Sequence, residues 1–576
     1  MAKTLSKAQR QRQALVRLLI MAAILVCVNI LASYFHSGID LTQERRFTVT
    51  APTKKVLGNM KEVAVIDVYL QGKFPAELQR LQEAVRQELS KFKELSGNKI
   101  IFRFINPIEG KNDKEQKEIV HELAQKGVRL LELSSTKEDD EYSTKPFFPY
   151  ALVQYNNKEM AVPLLENPQG KSPAEKTSYS EMALEYKFAN AINQLSRRDQ
   201  AHIAYITGNG EPLDISTVDM LMSVTKNYAL DTVDLSHTLQ ISLAYDAIII
   251  YSPKTPFSGP EKLKIDQYIM RGGHVLWAVN NMNASLDSFS HSPQFIATEA
   301  GLDLDDILYK YGVRINNDLL EDEELNLPLP RTYNGGTPEL HPWVYFPKLN
   351  PTSDNPIVKN MDFVMSGFTN TIDTIRSSGI KKTTLLHSSA HSLNPRSPVR
   401  VSLSMMNYPP KPETYTKSYL PVAVLLEGKF HSAYQGLLAP SYLRVLDSLH
   451  QPFIQVCDSE NSMIVVSSGQ IFSNGYTAKE GVLSMGYYNY TQEFFANRDF
   501  LLNCLEYLTD RSGVLEARAK EVKIRLLDMP RANTEKTTWQ VVNVGVPLAI
   551  VFIFASGYFF YRKRRYEVQK TPKKLQ

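Results

Sequence analysis

Candidate reactive residues fall into a few groups in this 576-residue chain, and each group carries part of a motif without the rest. Gly208-Asn209-Gly210-Glu211 lies between an apolar run and a helical pattern, where the turn of an α/β fold offers backbone amides to an anion. Pro212 and Leu213 follow, so neither the full G-x-G-x-x-G nor the Gly-Lys-Ser/Thr of a P-loop is present, and the Glu211 carboxylate repels a phosphate. A tight structural turn is the expectation. His387 and His391 have the spacing of two ligands on one helical face, yet Ser388, Ser389 and Ala390 between them supply no glutamate, and the region reads as strand and loop. His121-Glu122 has no second histidine at the needed place. Asp303, Asp305 and Asp306, like the run Glu321 to Glu324, lack the glycine and closing glutamate of a calcium loop and read as solvated acidic loops.

Nucleophilic catalysis fares no better. There is no G-x-S-x-G, and no cysteine stands on a strand-to-helix corner. The turn after the apolar run Ile248 to Tyr251 carries Ser252-Pro253-Lys254, with no histidine nearby to act as a base. Cys27 falls in an apolar segment, and Cys457 and Cys504 form no C-x-x-C, which leaves a disulfide pair or two buried thiols as the alternatives. No catalytic, cofactor-binding or metal-binding residue is therefore assigned.

The elements around these residues alternate. Val63 to Leu70 reads as a buried strand, Pro75 to Leu95 as a helix with Leu78, Leu81, Val85, Leu89 and Phe92 at helical spacing, and Ile100 to Ile105 as a second strand. A helix over Lys114 to Lys126 and a hairpin turning at Asn156-Asn157 follow. After a stretch rich in Pro, Lys and Ser, Asn167 to Thr177, a helix over Tyr179 to Leu195 opens a second series. Its strands are His202 to Thr207, Leu230 to Asp234, Ala247 to Ser252 and His274 to Val279, with helices over Ile215 to Lys226 and Ser258 to Arg271. Such alternation predicts an α/β fold built on a largely parallel sheet covered on both faces, for which Ile248, Ile249 and Ile250 supply a strand buried on both sides. Residues 321–417, rich in Pro, Asn, Ser and Thr, read as an insertion before the pattern resumes at Pro421 to Leu426, Ser462 to Ser467 and Asn497 to Leu508. The expected organisation is an N-terminal α/β domain over 36–175, a central one over 176–511 and a linker over 512–538.

Two uncharged apolar spans bracket this body, Leu18 to Phe35 and Trp539 to Tyr561. The second, 23 residues long, reaches about 35 Å as a helix and crosses a hydrocarbon core of about 30 Å. The first also resembles a signal peptide, but its run is longer than the usual signal core and Leu31-Ala32-Ser33 makes a poor cleavage site. The outer tails, 1–17 and 562–576, hold 12 of the 65 basic and 1 of the 61 acidic residues, which leaves 53 basic against 60 acidic between them. Basic flanks favour the cytoplasmic side, so both termini are expected in the cytoplasm, with the main body outside it. A body of net negative charge makes nucleic acid an unsuitable partner. Within the spans, Asn29 and Asn543 place amides in hydrocarbon, and Gly545 and Ala549 stand four apart; these four are the candidates for helix packing in the bilayer.

Several stretches, taken in order, carry a family resemblance. They are Asp40-Leu41-Thr42 with Arg46-Phe47, Ile203-Ala204-Tyr205-Ile206-Thr207-Gly208 with Gly210-Glu211, and Ala423-Val424-Leu425-Leu426-Glu427-Gly428 with Phe430 and Ser432. Asn497, Asp499-Phe500-Leu501, Asn503 and Leu526-Leu527-Asp528 follow, then Trp539, Asn543 and Pro547. Together they resemble the gliding-motility GldG family, auxiliary proteins of an ABC transporter in Bacteroidetes. The resemblance implies a partner permease and a separate ATPase, a bacterial inner-membrane location with a periplasmic body, and a role often described as substrate binding. It also implies a central domain similar to the class I glutamine-amidotransferase, flavodoxin-like fold without its catalytic residues. A membrane-anchored envelope hydrolase and a mechanical periplasmic connector are the rival readings.

Overall fold

Runs of β-branched residues between amphipathic segments fold here into α/β units. The computed structural model describes residues 16–28, 48–72, 74–128, 130–136, 142–165, 173–197, 199–331, 338–351, 353–406, 410–448, 452–510, 512–519 and 534–566. The chain divides into two units, Met1–Glu521 and Val522–Gln576.

In the first unit an apolar helix α1 (Val16–Val28) precedes α2 (Ala51–Gly58). Strand β1 (Ala64–Val68), helix α3 (Ala76–Leu95) and strand β2 (Ile100–Phe104) form the expected β-α-β unit, with β1 and β2 parallel. Helix α4 (Asp113–Gln125) leads to a separate antiparallel pair, β3 (Leu131–Thr136) and β4 (Tyr142–Phe147). The hairpin of β5 (Tyr150–Tyr155) and β6 (Lys158–Pro163) completes a sheet of order β2-β1-β5-β6. Its turn residues Asn156 and Asn157 have φ of 52° and 58°, the left-handed pair that a two-residue hairpin needs. Helix α5 (Pro173–Ser196) begins inside the stretch that the sequence reads as an interruption. It joins two regions, because Phe188 and Ile192 share one core with Ile66 of the first sheet, Leu81 of α3 and, further on, Leu501 and Leu505.

The central sheet comprises β7 (His202–Thr207), β8 (Ala229–Asp234), β9 (Ala247–Tyr251), β10 (His274–Ala278), β11 (Ile380–His387), β12 (Pro421–Gly428) and β13 (Asn461–Val466). In space the order is β11-β12-β13-β10-β9-β7-β8; the five strands from β13 to β8 are parallel, and β12 and β11 are antiparallel additions. Taken in chain order, the parallel strands run 2-1-3-4-5, the doubly wound arrangement whose switch point here lies between β7 and β9. Helices α6 (Val218–Thr225), α7 (Gly259–Met270), α8 (Asp305–Tyr311), α9 (Pro440–Ser448) and α10 (Asn497–Thr509) accompany it. Ile249, Leu276 and Ile464 face a core shared with Phe500 and Leu505 of α10, while Ile248, Ile250 and Trp277 face another with Ile265 and Ile269 of α7 and Leu308 of α8. This two-sided burial is what the isoleucine run required.

The range 321–417 is not peripheral throughout. Its strand-like piece Thr383 to Leu386 is the middle of β11, an edge strand of the central sheet with only Leu385 and Leu386 buried, which is why its pattern is faint. Other parts of that range build a separate aromatic core in which Trp343 and Tyr345 stand 5.4 Å apart.

In the second unit, α11 (Lys536–Tyr566) contains the expected C-terminal span in 31 residues, about 46 Å of helix. Among the described residues it is the one helix long and apolar enough to cross a membrane. Helix α1 covers 13 residues, too few by itself; the remainder of the expected first span, 29–35 with Asn29, lies outside the described residues.

Candidate functional site

Doubly wound sheets take ligands beyond the carboxyl ends of their strands at the switch point, since the connections on either side leave toward opposite faces. Here the loops after β7 and β9 flank that point. Gly210 has φ of 78°, and a Cβ on it would lie 3.0 Å from Lys254 Cβ, so glycine serves both the turn and the close approach. The carbonyl of Asn209 accepts the N–H groups of Lys254 at 2.8 Å and Thr255 at 3.0 Å, which ties the two loops together. Its side-chain amide donates to Pro256 O at 3.2 Å and to Glu261 Oε2 at 3.3 Å. The Asn209 N–H, which an anion would need, donates instead to Glu211 Oε2 at 2.8 Å. Burial raises the Glu211 pKa, opposed by its backbone hydrogen bonds. The structural turn expected from the sequence is what forms. Among the described residues Asn209 Oδ1 and Glu211 Oε1 are buried with no hydrogen-bond partner.

Across the crevice Ser252 follows β9 with φ of 46°, a strained value for a residue with a side chain. Lys254 Nζ donates to Ser252 Oγ at 3.0 Å, and burial lowers the lysine's pKa. A serine beside a lysine of depressed basicity is a nucleophile and base in kind. Lys254 stands two residues after the serine in the sequence, a base of another type than a triad histidine. Access is another matter: Ser252 is 7 % exposed, and a Cβ on Gly469 would lie 2.6 Å from both its Cβ and its Oγ. The Gly469 N–H donates to Asn280 Oδ1 at 2.7 Å, holding the loop after β13 against the serine. Further along the edge, Thr371 N–H donates to Asp318 Oδ1 at 2.8 Å, Asn281 N–H to Asn370 Oδ1 at 2.8 Å, and Ser467 Oγ to Asn370 O at 2.6 Å. The ends of β10 and β13 are thus covered by the chain itself.

The residues suspected of metal binding are dispersed. His387 Nδ1 lies 2.6 Å from Ser388 O, whereas His391 Nδ1 lies 3.1 Å from Glu324 Oε2. His121 Nε2 meets Gln125 Nε2 at 3.1 Å on α4. Asp303 and Asp306 share the Lys262 ammonium at 3.0 and 2.8 Å. Glu321 accepts the Tyr345 hydroxyl at 2.8 Å, and Asp322 accepts the Ser389 N–H at 2.7 Å; both are buried, not solvated as the sequence suggested. Among the described residues no three such groups are placed to hold a metal ion. Cys457 and Cys504 are buried free thiols. Asn543, Gly545 and Ala549 are exposed on α11; at about 100° per residue Gly545 and Ala549 share a face that Asn543 does not.

Comparison with known proteins decides the family. Residues 200–504, just over half of the chain, match the family described as "ABC-type uncharacterized transport system". The chain belongs to this ABC-transport auxiliary family. A further family, described as a domain of unknown function, matches residues 43–154 of the auxiliary protein. No curated protein sequence matches it. Among solved structures, "mmIFT52 N-terminal domain" is similar at 13 % identity and a TM-score of 0.30, over 54 % of this chain and 97 % of that one. "Exo-beta-1,4-mannosidase Op5Man5 from Opitutaceae bacterium strain TAV5" is similar at 8 % identity and a TM-score of 0.19, over 59 % and 38 %. Both scores are too low to carry an argument.

Proposed function

We propose that this ABC-transport auxiliary protein is a non-catalytic, substrate-binding subunit associated with gliding motility, working with a permease and a separate ATPase. The observation that carries the reading is the filled crevice at the switch point of a chain in an ABC-transport family: the carboxyl edge is occupied by Asn209, Glu211, Ser252 and Gly469. The sequence holds no P-loop, so nucleotide hydrolysis falls to another chain. The strand order 2-1-3-4-5 supports an amidotransferase-like central domain stripped of its nucleophile.

Helix α11 and the N-terminal apolar segment anchor the body in the inner membrane, and the basic flanks put both termini in the cytoplasm and the body in the periplasm. In hydrocarbon, Asn543 engages one neighbouring helix by hydrogen bonding, and the Gly545–Ala549 face admits close approach of another; Asn29 serves the first span in the same way. A cleft of about 170 Å³, lined by Tyr179, Met182, Tyr186, Phe494 and Arg518, offers an amphipathic place for the carried substrate.

Purification in mild detergent, with companions identified by mass spectrometry, tests the reading; it is expected to recover a permease and an ATPase, and recovery of neither would overturn it. A reporter fused beyond Tyr561 is expected to be cytoplasmic. The Ser252–Lys254 pair favours one rival, an envelope hydrolase. A fluorophosphonate that labels Ser252 in the native chain, but not in K254M, would establish that rival instead.

A further inference from the structure

Helix α11 carries different charge at its two ends. Residues 534–538 hold one acid, Glu535, and one base, Lys536, whereas Arg562, Lys563, Arg564 and Arg565 follow one another near its end with no acidic residue among them. All four are exposed. At about 100° and 1.5 Å per residue they spread over roughly 300° of the helix circumference within about 4.5 Å along its axis, so they make a ring at one depth. The carboxyl end of a helix carries only about half a negative charge, too little to balance four cations. Residues 567–576, outside the described residues, add Lys570, Lys573 and Lys574 against Glu567. The balancing anions come from the surroundings, and a single neighbouring helix on the Gly545–Ala549 face covers one side of such a ring at most.

The position of the ring is the second observation. It comes directly after Tyr558, Phe559, Phe560 and Tyr561, all of them exposed. Interfacial tyrosine, with its apolar ring and polar tip, settles where hydrocarbon gives way to headgroups, so the cations that follow stand at the level of the lipid phosphates. Arg565 links the two belts. Its Nη1 donates to the Tyr561 hydroxyl at 2.7 Å and its guanidinium carbon lies 5.7 Å from the centre of the Tyr561 ring, which turns the charge back toward the membrane boundary and keeps further N–H groups for an acceptor. A guanidinium fork pairs with phosphate oxygens two at a time, and three of the four residues are arginine. A zwitterionic headgroup brings its own cation against the ring, whereas an anionic one does not.

We propose that the carboxyl-terminal end of α11 binds anionic phospholipid headgroups, with Arg562, Lys563, Arg564 and Arg565 holding the phosphates of lipids such as phosphatidylglycerol. This rests on the reading of α11 as a membrane span. Native mass spectrometry of the full chain in neutral detergent compares phosphatidylglycerol, phosphatidylcholine and inorganic phosphate, while resistance to carbonate extraction from phosphatidylcholine vesicles measures insertion separately. Each cation near an anionic lipid surface contributes about fivefold, so phosphatidylglycerol is expected to bind at least about tenfold tighter than phosphatidylcholine, with no displacement by equimolar phosphate. In R564Q/R565Q, whose changes lie at an exposed helix end, that preference is expected to fall by about fivefold or more. R564K/R565K keeps the charge and is expected to keep most of the preference. Insertion with equal affinity for the two lipids, an unchanged preference in R564Q/R565Q, or displacement of the lipid by phosphate would overturn the proposal and leave the span standing. Release of the chain by carbonate would overturn both.

Discussion

The two edges of the central sheet are built from the same strands and end up in opposite states. At the carboxyl edge, where a doubly wound fold is expected to take its ligand, the chain fills its own crevice: Asn209 locks the loop after β9, Glu211 takes the amide an anion would use, and Gly469 presses on Ser252. At the amino edge, a cavity of about 310 Å³ is lined by five carboxylates. Among the described residues, buried carboxylate oxygens without hydrogen-bond donors occur at both, Glu211 Oε1 and Glu506 Oε1. What separates the edges is volume and the number of carboxylates gathered there. Strand order therefore locates a crevice, while packing decides whether it is open.

The sharpest way to break this comparison is through Glu506. Its pKa is raised from 4.5 to about 7, by burial first and then by the Asp510 charge, against the hydrogen bond from Tyr186. The folded state thus holds this proton more tightly than the unfolded one, so the contribution of Glu506 to stability is full below about pH 4.5 and is lost as pH rises to about 7. Thermal unfolding of the detergent-solubilised chain is expected to show that fall, on the order of 3 kcal/mol, and E506Q is expected to lack it. Equal pH profiles for the two proteins would mean that the carboxylate is compensated and the amino edge is not electrostatically special.

Gly469 tests the other edge. G469A forces a methyl group to within 2.6 Å of Ser252, and overpacking of this kind costs about 1–3 kcal/mol. Adding S252G is expected to restore most of the loss, since it removes the clashing side chain and relaxes the positive φ of that residue. If G469A alone were neutral, the carboxyl edge would be looser than the packing indicates.

Smaller effects complete the series. K262M removes the ammonium shared by Asp303 and Asp306, but both carboxylates are largely exposed and rehydrate, so a loss of about 1 kcal/mol is expected, with no thermal shift on adding calcium to the native protein. D354N breaks the pair with Lys359, in which the aspartate is 97 % exposed, and is expected to leave the melting temperature unchanged.

Local pattern made much of the fold legible. Helix α3 shows its buried stripe of Leu78, Leu81, Val85, Leu89 and Phe92 in the sequence, and Asn156-Asn157 marks its hairpin because few residues tolerate a left-handed pair. Strand β11 was not legible as part of the central sheet, for an edge strand with two buried residues has almost no periodic signal. Nor was the shared role of α5, whose Tyr186 meets Glu506 across 320 residues of sequence. At the candidate site, the turn at Gly208 to Glu211 is legible as a structural one, since Pro212 and Leu213 break both phosphate-binding patterns. The Ser252–Lys254 contact was not legible, because nearness in the chain does not fix where a lysine side chain points.

What the sequence alone determined is the set of elements, the two apolar ends with their basic flanks, and the lack of a complete catalytic or nucleotide-binding motif, since each depends on residues close together in the chain. Tertiary structure alone decided that the strands order as 2-1-3-4-5, that one edge closes on itself, and that five carboxylates from distant segments meet around one cavity. Close packing and the cost of burying charge act between residues that are neighbours only in space.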